Sequence, residues 1–296
     1  MTHRMKWDDL QFILEVAETG SLSAAARKLG VNHATVLRRV SGFEEKFNVK
    51  LFERKPNGYL LTPHSKQMLN SLRLVNKTIS SLERSIGGLG TPFEGPIRIT
   101  SVDSICQEFL VPHIQALGDL HPNLEIELFS TNHRLDLGNF DADITIRPTN
   151  ELTGGLIGEK TGSMRFGVYG TPDYWQQNPS NDVLRHRWLG VSELLIRSPV
   201  GVWQTEMLGS KLALRSDSFL TLREFAENGM GAAMLPCLLG VKSDGLIPSP
   251  QFDFVLETNL WVATHRDLAE TPRIQALLQY FINIFETHAN ELRGLI

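Results

Sequence analysis

The sequence predicts an α/β protein with a small helical N-terminal part, a long connecting helix, and a larger C-terminal part in which strands and helices alternate. Its 296 residues are about twice the length of a typical domain, and 42% are hydrophobic. Charge divides the chain: residues 1–90 hold 14 basic and 8 acidic side chains, and the remainder holds 15 and 25. A basic first part on an acidic body indicates that the first part meets a polyanion, although a solvated basic face gives the same count.

Three short helices are predicted at the start of the chain. The apolar residues of the first helix recur at spacings of three and four and end before Gly20; they are Trp7, Leu10, Ile13, Leu14 and Ala17. Ser21 caps a second helix, which ends at Gly30, and Asn32 caps a third. Two short helices joined by this tight turn are typical of a helix-turn-helix.

The third helix has a buried and an exposed face. Its apolar residues step by four, three and four and predict the core side: Val36, Val40, Phe43 and Phe47. The outward residues are His33, Ala34, Leu37, Arg38 and Ser41, with Arg39 on a flank. Such a face suits the major groove of DNA, where Arg38 would bond guanine and Leu37 would contact a thymine methyl. The alternative is that His33 and Arg38 are only solvated.

A hairpin follows the third helix. Asn57 and Gly58 form a tight-turn signal between two apolar runs over residues 51–62. After a helix-turn-helix this hairpin is a wing, on which Arg54 and Lys55 would contact phosphates rather than bases. Residues 1–62 are therefore predicted to form the DNA-binding domain, and double-stranded DNA is the predicted partner.

A long helix is predicted from Pro63 to residue 86, about 36 Å at 1.5 Å per residue. Its apolar positions form a heptad seam: Met68, Leu72, Val75, Ile79, Leu82 and Ile86. The seam predicts a dimerising linker over residues 63–91, which ends in a glycine-rich break. An amphipathic helix packed on its own domain is the alternative.

The C-terminal part alternates strands and helices, so we expect largely parallel sheets covered by helices. Ligands in such sheets bind beyond the carboxyl ends of the strands. The predicted ligand-binding residues are Ser101, Val102, Asp103, Ser104, Arg147, Thr149, Ser216, Ser218, Phe219 and Gly231. Each hydroxyl is alternatively a helix cap. A carboxylate from Asp103 at this mouth would favour a cation or polyol, unless Arg147 pairs with it.

The first part resembles the winged head of the LysR-type transcriptional regulators. The resemblance lies in residues 20–31, 38–44 and 51–54, and in the Leu-Thr-Pro of residues 61–63. It implies that promoter DNA is contacted by positions matching Asn32, His33, Ala34, Leu37 and Arg38, with Arg54 on the wing. The complete predicted set is Ser21, Ser23, Asn32, His33, Ala34, Thr35, Leu37, Arg38, Arg39, Ser41, Arg54 and Lys55. Residues 32–35 differ from the Ser-Gln-Pro common in the family, so no base preference carries over.

The C-terminal part is similar to the effector-binding domain of the same family, through residues 95–99, 141–147 and 227–236. The resemblance implies a two-lobed, periplasmic-binding-protein-like effector domain over residues 92–296. Lobe I would comprise residues 92–161 plus 266–296, and lobe II residues 162–265. A small-molecule effector of unspecified identity, a homodimer or homotetramer, and RNA polymerase as a further candidate partner are also implied.

No catalytic motif favours an enzyme. The sequence has no phosphate-binding loop, H-E-x-x-H pair, C-x-x-C pair or G-x-S-x-G elbow, so neither a metal nor a cofactor is expected. Cys106 and Cys237 are far apart and are expected to be reduced thiols; a Cys106 nucleophile and a redox role are the alternatives. The N-terminus lacks the apolar stretch of a secretory signal, which favours a cytoplasmic regulator over a periplasmic solute-binding protein.

Overall fold

A computed structural model describes residues 5–56, 58–87, 93–132, 142–209 and 211–295. In the long helix, the side chains at positions 77, 80, 81 and 83–87 are outside the description. Three features predicted above therefore fall outside it: Asn57, the side chain of Ile86, and the glycine-rich segment 88–92. The chain divides into two compact units, Met1–Leu82 and Glu83–Ile296, and each is described by itself.

The first unit contains the predicted three helices and hairpin. Its elements are α1 (Trp7–Thr19), α2 (Leu22–Lys28), α3 (His33–Phe47), β1 (Phe52–Lys55), β2 (Gly58–Leu61) and, as far as Leu82, α4 (Pro63–Gly87). Strands β1 and β2 pair antiparallel, which confirms the hairpin. The winged helix-turn-helix predicted from the apolar spacing is thus confirmed.

Local hydrogen bonds fix the ends of these elements. Helix α1 ends where Gly20 takes φ 63°, a left-handed conformation that glycine adopts without steric cost. The side chain of Asn32 accepts a bond from Thr35 N at 2.7 Å, so the predicted cap of α3 is present. Glu44 Oε1 accepts from Leu51 N at 2.6 Å and holds the start of the hairpin on α3.

Helix α4 has the predicted length, but its apolar residues are buried in the first turns and largely exposed in the later ones. Leu72 is buried in the core of the first unit, and Met68 packs against that core. Val75 and Leu82 are 38% and 57% exposed, and Ile79 is half-buried. The first turns of α4 therefore pack on their own unit, as the alternative interpretation held, because the helix starts directly after β2. A heptad seam free for a partner along its whole length is not what the structure shows.

The second unit contains one mixed sheet. Its strands are β3 (Gly95–Ser101), β4 (Leu124–Ser130), β5 (Ile144–Pro148), β6 (Leu156–Gly170), β7 (Trp188–Val191), β8 (Leu214–Ser216), β9 (Ala232–Pro236), β10 (Ile247–Pro248) and β11 (Leu256–His265). The order among the described residues is β4-β3-β5-β11-β6-β9-β7-β8, with β10 beside β6. Its helices are α5 (Asp103–Ile105), α6 (Val111–Leu120), α7 (Pro172–Gln177), α8 (Pro199–Met207), α9 (Phe219–Glu227), α10 (Cys237–Val241), α11 (Pro272–Thr287) and α12 (Ala289–Leu292). A π-helical turn, Cys106–Leu110, joins α5 to α6.

The expectation of largely parallel sheets holds at the two flanks of this sheet and is wrong at its centre. Strand β3 runs parallel to β4 and β5, and β7 runs parallel to β8 and β9. Between these groups, β6 and β11 form a long antiparallel ribbon. Close approach within the ribbon requires glycine at position 158, where a Cβ would lie 2.2 Å from Val262 O. The ribbon thus joins two flanking strand groups, as the two-lobed prediction requires.

In the parts of the chain that the structure describes, no helix combines the length and apolar composition needed to cross a bilayer.

Candidate functional site

The exposed face of α3 contains the residues predicted to read DNA. His33, Ala34, Leu37, Arg38 and Ser41 are all exposed, with Leu37 at 40%. The opposite face is buried in the core of the first unit through Val36, Val40 and Phe43. A helix held by one face and open on the other, with its N-terminal turn exposed, has the geometry of a recognition helix.

The polar residues at the helix starts form capping contacts. Asn32 Oδ1 is bonded by the amide of Thr35, and Ser21 Oγ accepts from Ala24 N at 3.4 Å. Ser23 is exposed on α2. Asn32 and Ser21 therefore hold the turn in shape, a role that exists without DNA.

Arginine 39 differs from the other basic residues of α3. Its Nη1 lies 2.8 Å from Asp9 Oδ1, and its guanidinium lies 5.5 Å from the ring centroid of Phe12. Both contacts are with α1, so Arg39 joins α1 and α3 within the unit. On the hairpin, Arg54 is exposed, and Lys55 forms an exposed ion pair with Glu53 at 2.8 Å.

The second unit contains a cavity of about 650 Å³. Its wall includes residues from β5, β6 and β11, the segments that follow β3, β4 and β5, the segment 193–199, and the start of α9. Five of the predicted effector residues are in this wall: Val102, Ser104, Arg147, Thr149 and Phe219. The volume falls in the range of pockets that enclose small organic ligands.

The other five predicted effector residues are not among the lining residues, and four have evident structural roles. Ser101 Oγ donates to Ile146 O at 2.7 Å, and Ser216 Oγ accepts from Ser218 N at 3.1 Å. Ser218 caps α9 by accepting from Thr221 N at 3.3 Å, as the helix-cap alternative held. Gly231 lies so close to Arg187 O that a Cβ would be 2.3 Å away.

Asp103, the fifth, directs its carboxylate to protein groups. It accepts from Ser104 N at 2.6 Å, Asn132 Nδ2 at 2.8 Å and Ser218 Oγ at 2.6 Å. Because this carboxylate is used by the protein and Asp103 does not line the cavity, the reason for expecting a cationic or polyol effector is removed.

The inner wall of the cavity contains a largely buried cation. Burial lowers the pKa of Arg147 to about 10, which leaves its guanidinium protonated near neutral pH. Its Nη2 lies 3.2 Å from Thr100 Oγ1. The hydroxyls of Ser104 and Thr145 are also buried in this wall, and neither has a hydrogen-bond partner among the residues described.

Several lining residues were missed from the sequence. They include Asn132, Thr145, Met164, Phe166, Trp261 and the segments 150–153 and 193–199. Thr145 lies in a predicted strand, two positions before Arg147, and residues two apart share a strand face. That shared face was the available signal. No local signal marked the segment 193–199, since it reaches the cavity only through the fold.

The two cysteines are buried and free. Burial raises the pKa of both thiols, which disfavours the thiolate that a nucleophile or redox sensor needs. Among the described residues there is no group of three or more His, Cys, Asp or Glu side chains placed to hold a metal ion.

Two protein-family models match the chain. The LysR substrate binding domain matches residues 90–285, about two thirds of the sequence, and the bacterial regulatory helix-turn-helix protein of the lysR family matches residues 7–66. The chain belongs to the LysR family. This LysR-family chain is a transcriptional regulator with a helix-turn-helix DNA-binding domain and a domain that binds a small-molecule effector.

Two distant relatives and one solved structure match along nearly the whole chain. The Mau operon transcriptional activator of Paracoccus denitrificans is 24% identical over 97% of this chain and 99% of its own length. The transcriptional activator TtdR of Escherichia coli K12 is 23% identical over 92% of this chain and 91% of its own. The structure of the Vibrio cholerae virulence activator AphB has a TM-score of 0.62 at 20% identity, and covers 94% of this chain and 99% of its own. The structural likeness shows the fold.

Proposed function

We propose that this LysR-family regulator binds promoter DNA as a homodimer, with the exposed face of α3 in the major groove and the hairpin beside the phosphate backbone. The observation that carries this proposal is that α3 is buried on one face and exposed on the other. Its first turn is open to solvent, while Val36, Val40 and Phe43 hold it on the unit's core. Arg38 is then the base-reading residue, and Arg54 the phosphate contact.

The proposed dimer forms through the later turns of α4. Val75 and Leu82 are exposed apolar side chains on a helix whose first turns are anchored by Leu72. A two-fold dimer presents two recognition helices and therefore prefers a palindromic site. A tetramer of two such dimers, and contact with RNA polymerase at the promoter in the cytoplasm, extend the same proposal.

The effector is proposed to act by binding and not by catalysis, with no cofactor. It would occupy the cavity of the second unit and shift the populations of two DNA-bound arrangements. Both cysteines support this view, since their thiols are buried and their pKa values are raised.

The test is fluorescence anisotropy of a duplex from the DNA upstream of the gene, beside a scrambled duplex, at several salt concentrations. We expect Arg38→Ala to weaken native-duplex binding by about 1–3 kcal/mol and to relax one base position. Arg54→Ala should weaken both duplexes alike and flatten the salt dependence by about one unit of slope.

Arg185→Ala is the matched control, because Arg185 is an exposed arginine of the second unit, paired only at 3.5 Å with Asp182. It should leave both duplexes unaffected. Binding without salt dependence, or an equal loss on both duplexes for Arg38→Ala, would contradict the proposed role of α3.

A further inference from the structure

The buried polar side chains of the cavity wall are a cation and hydroxyls. Arg147 supplies the charge, and the hydroxyls of Ser104 and Thr145 are buried without a partner among the described residues. The carboxylates in the described wall, Glu151 and Glu193, are exposed. Arg197, a second cation of this wall, is exposed as well, so the one charge that the described wall holds largely away from solvent is positive.

We propose that the effector is a small organic acid with one carboxylate and an apolar body, and that Arg147, Ser104 and Thr145 recognise the carboxylate. This inference rests on the proposed function of the cavity as the effector site. An arginine presents several N–H donors to a carboxylate, and charge-assisted bonds of this kind are stronger than neutral ones. The two hydroxyls add donors on the same wall.

The two buried hydroxyls without a protein partner are suited to bond a polar group of a ligand. Most buried polar atoms in folded proteins have a hydrogen-bond partner, so an orphan marks a place for water or for a ligand atom. Thr145 and Arg147 are two positions apart on β5 and therefore face the same side of that strand. Ser104 lies in the first turn after β3, the strand that pairs with β5.

The apolar side chains of the cavity wall are the reason for expecting an apolar body on the ligand. Met164, Phe166 and Phe219 line the cavity and are at most 5% exposed, and Trp261 lies on the neighbouring strand β11. These side chains suit an aromatic or branched hydrocarbon group. A second carboxylate placed against this apolar surface would be desolvated without a partner, which disfavours a diacid.

The test measures calorimetric binding of matched probes to the full chain. The probes are 4-phenylbutyrate, its amide and its amine, with indole-3-acetate and its amide as a second body and adipate as the diacid. We expect each monocarboxylate to bind about 10- to 100-fold more tightly than its amide, and the amine and diacid to bind more weakly still. Arg147→Met should remove this preference for the carboxylate.

Thr145→Val separates ligand binding from folding. Removing a buried hydroxyl that has no protein partner should leave Tm unchanged or slightly higher, yet weaken the carboxylates about 10-fold. Thr264→Val is the matched control, because Thr264 Oγ1 is buried and donates to Asp143 O at 2.7 Å. That change should lower Tm and leave the preference among probes intact.

Three results would overturn the inference: equal binding of amide and carboxylate, carboxylate binding that survives Arg147→Met, or no carboxylate binding at about 10 mM. Binding of the native duplex, measured on the same samples, tests the proposed function separately. A chain that binds its duplex but prefers the amine would retain the proposed DNA-binding role and lose this effector class.

Discussion

At the residue scale, we expect His113 of the second unit, whose ring lies beside that of His288, to make stability depend on pH. The rings of His113 and His288 have centroids 4.9 Å apart, beside Glu291 and Lys242. Burial, and next the nearby His288, lower the pKa of His113. The folded state therefore favours the neutral imidazole at this position.

The sign of the pH effect follows from this direction. An unfolded histidine has a pKa of about 6.5, so below that pH the unfolded chain binds the proton more readily than the folded one. Stability contributed by neutral His113 is present above this pH and is lost as the pH falls. We expect His113→Gln to flatten the fall in Tm between pH 7.5 and pH 5.5, as measured by scanning calorimetry. His33→Gln, an exposed position on α3, is the control; an unchanged slope in His113→Gln would contradict the prediction.

Residue types alone could not separate the roles of the hydroxyls at the strand ends. Ser104 and Ser218 each follow a strand in the sequence, but Ser104 lines the cavity and Ser218 bonds Asp103 from 115 positions away. The sequence identified Arg147 because it ends an apolar strand. It could not show that Asp103 is used by the protein, since its partners Asn132 and Ser218 come from distant elements.

At the element scale, hydrophobic periodicity predicted the elements that keep one buried face along their whole length. It failed for elements whose burial changes from one end to the other. Helix α3 was predicted because its apolar spacing matches one helical face throughout. The sequence predicted strand β6 only near its end, at residues 165–169. Residues 157–160 are all exposed, so this part of the strand lacks the alternation of buried and exposed side chains that marks a half-buried strand. Its partner β11 supplies the pairing that local sequence does not specify.

Because α4 is buried in its first turns and exposed in its later ones, substitutions at its two ends should separate folding from association. Leu72 is 7% exposed within the core of the first unit, and Leu82 is 57% exposed. We expect Leu72→Ala to lower the stability of the first unit by about 2–4 kcal/mol, since it leaves a cavity in a packed core.

Leu82→Ser is the partner variant, and it should weaken self-association in sedimentation equilibrium while leaving the core of the first unit intact. Near-ultraviolet circular dichroism and urea unfolding would report on that core. Association that is insensitive to Leu82→Ser would mean that this turn of α4 is not the contact between protomers.

At the scale of the whole molecule, the division of charge matches the division of tasks. The basic excess lies within residues 1–90, which contain the recognition helix, and the acidic excess lies in the remainder. An acidic body is repelled by DNA, which favours contact through the first unit. In the proposed dimer, effector binding would act through a change in the second unit that alters how the two first units bind DNA.

Polar contacts join the two strand groups of the second unit at one end of the cavity. Asp103 and Asn132, which follow β3 and β4, bond Ser218 and the carbonyl of Asp217 at the start of α9. Further along α9, Arg223 Nη1 lies 2.8 Å from Glu108 Oε1, and both side chains are only 14% exposed. Hydrogen bonds and ion pairs of this kind have discrete alternatives, so they suit a boundary that rearranges when a ligand enters.

The ion pair between Arg223 and Glu108 can be tested by a double-mutant cycle with Arg223→Met and Glu108→Gln. Each single change should lower the stability of the second unit by about 1–3 kcal/mol, because it leaves a largely buried charge without its main partner. The double variant should lose less than the sum, with a coupling of about 1–2 kcal/mol by urea unfolding. The same cycle on Arg185 and Asp182, whose side chains are 76% and 52% exposed, should give a coupling near zero. Equal couplings in the two cycles would mean that this ion pair does not hold the strand groups together.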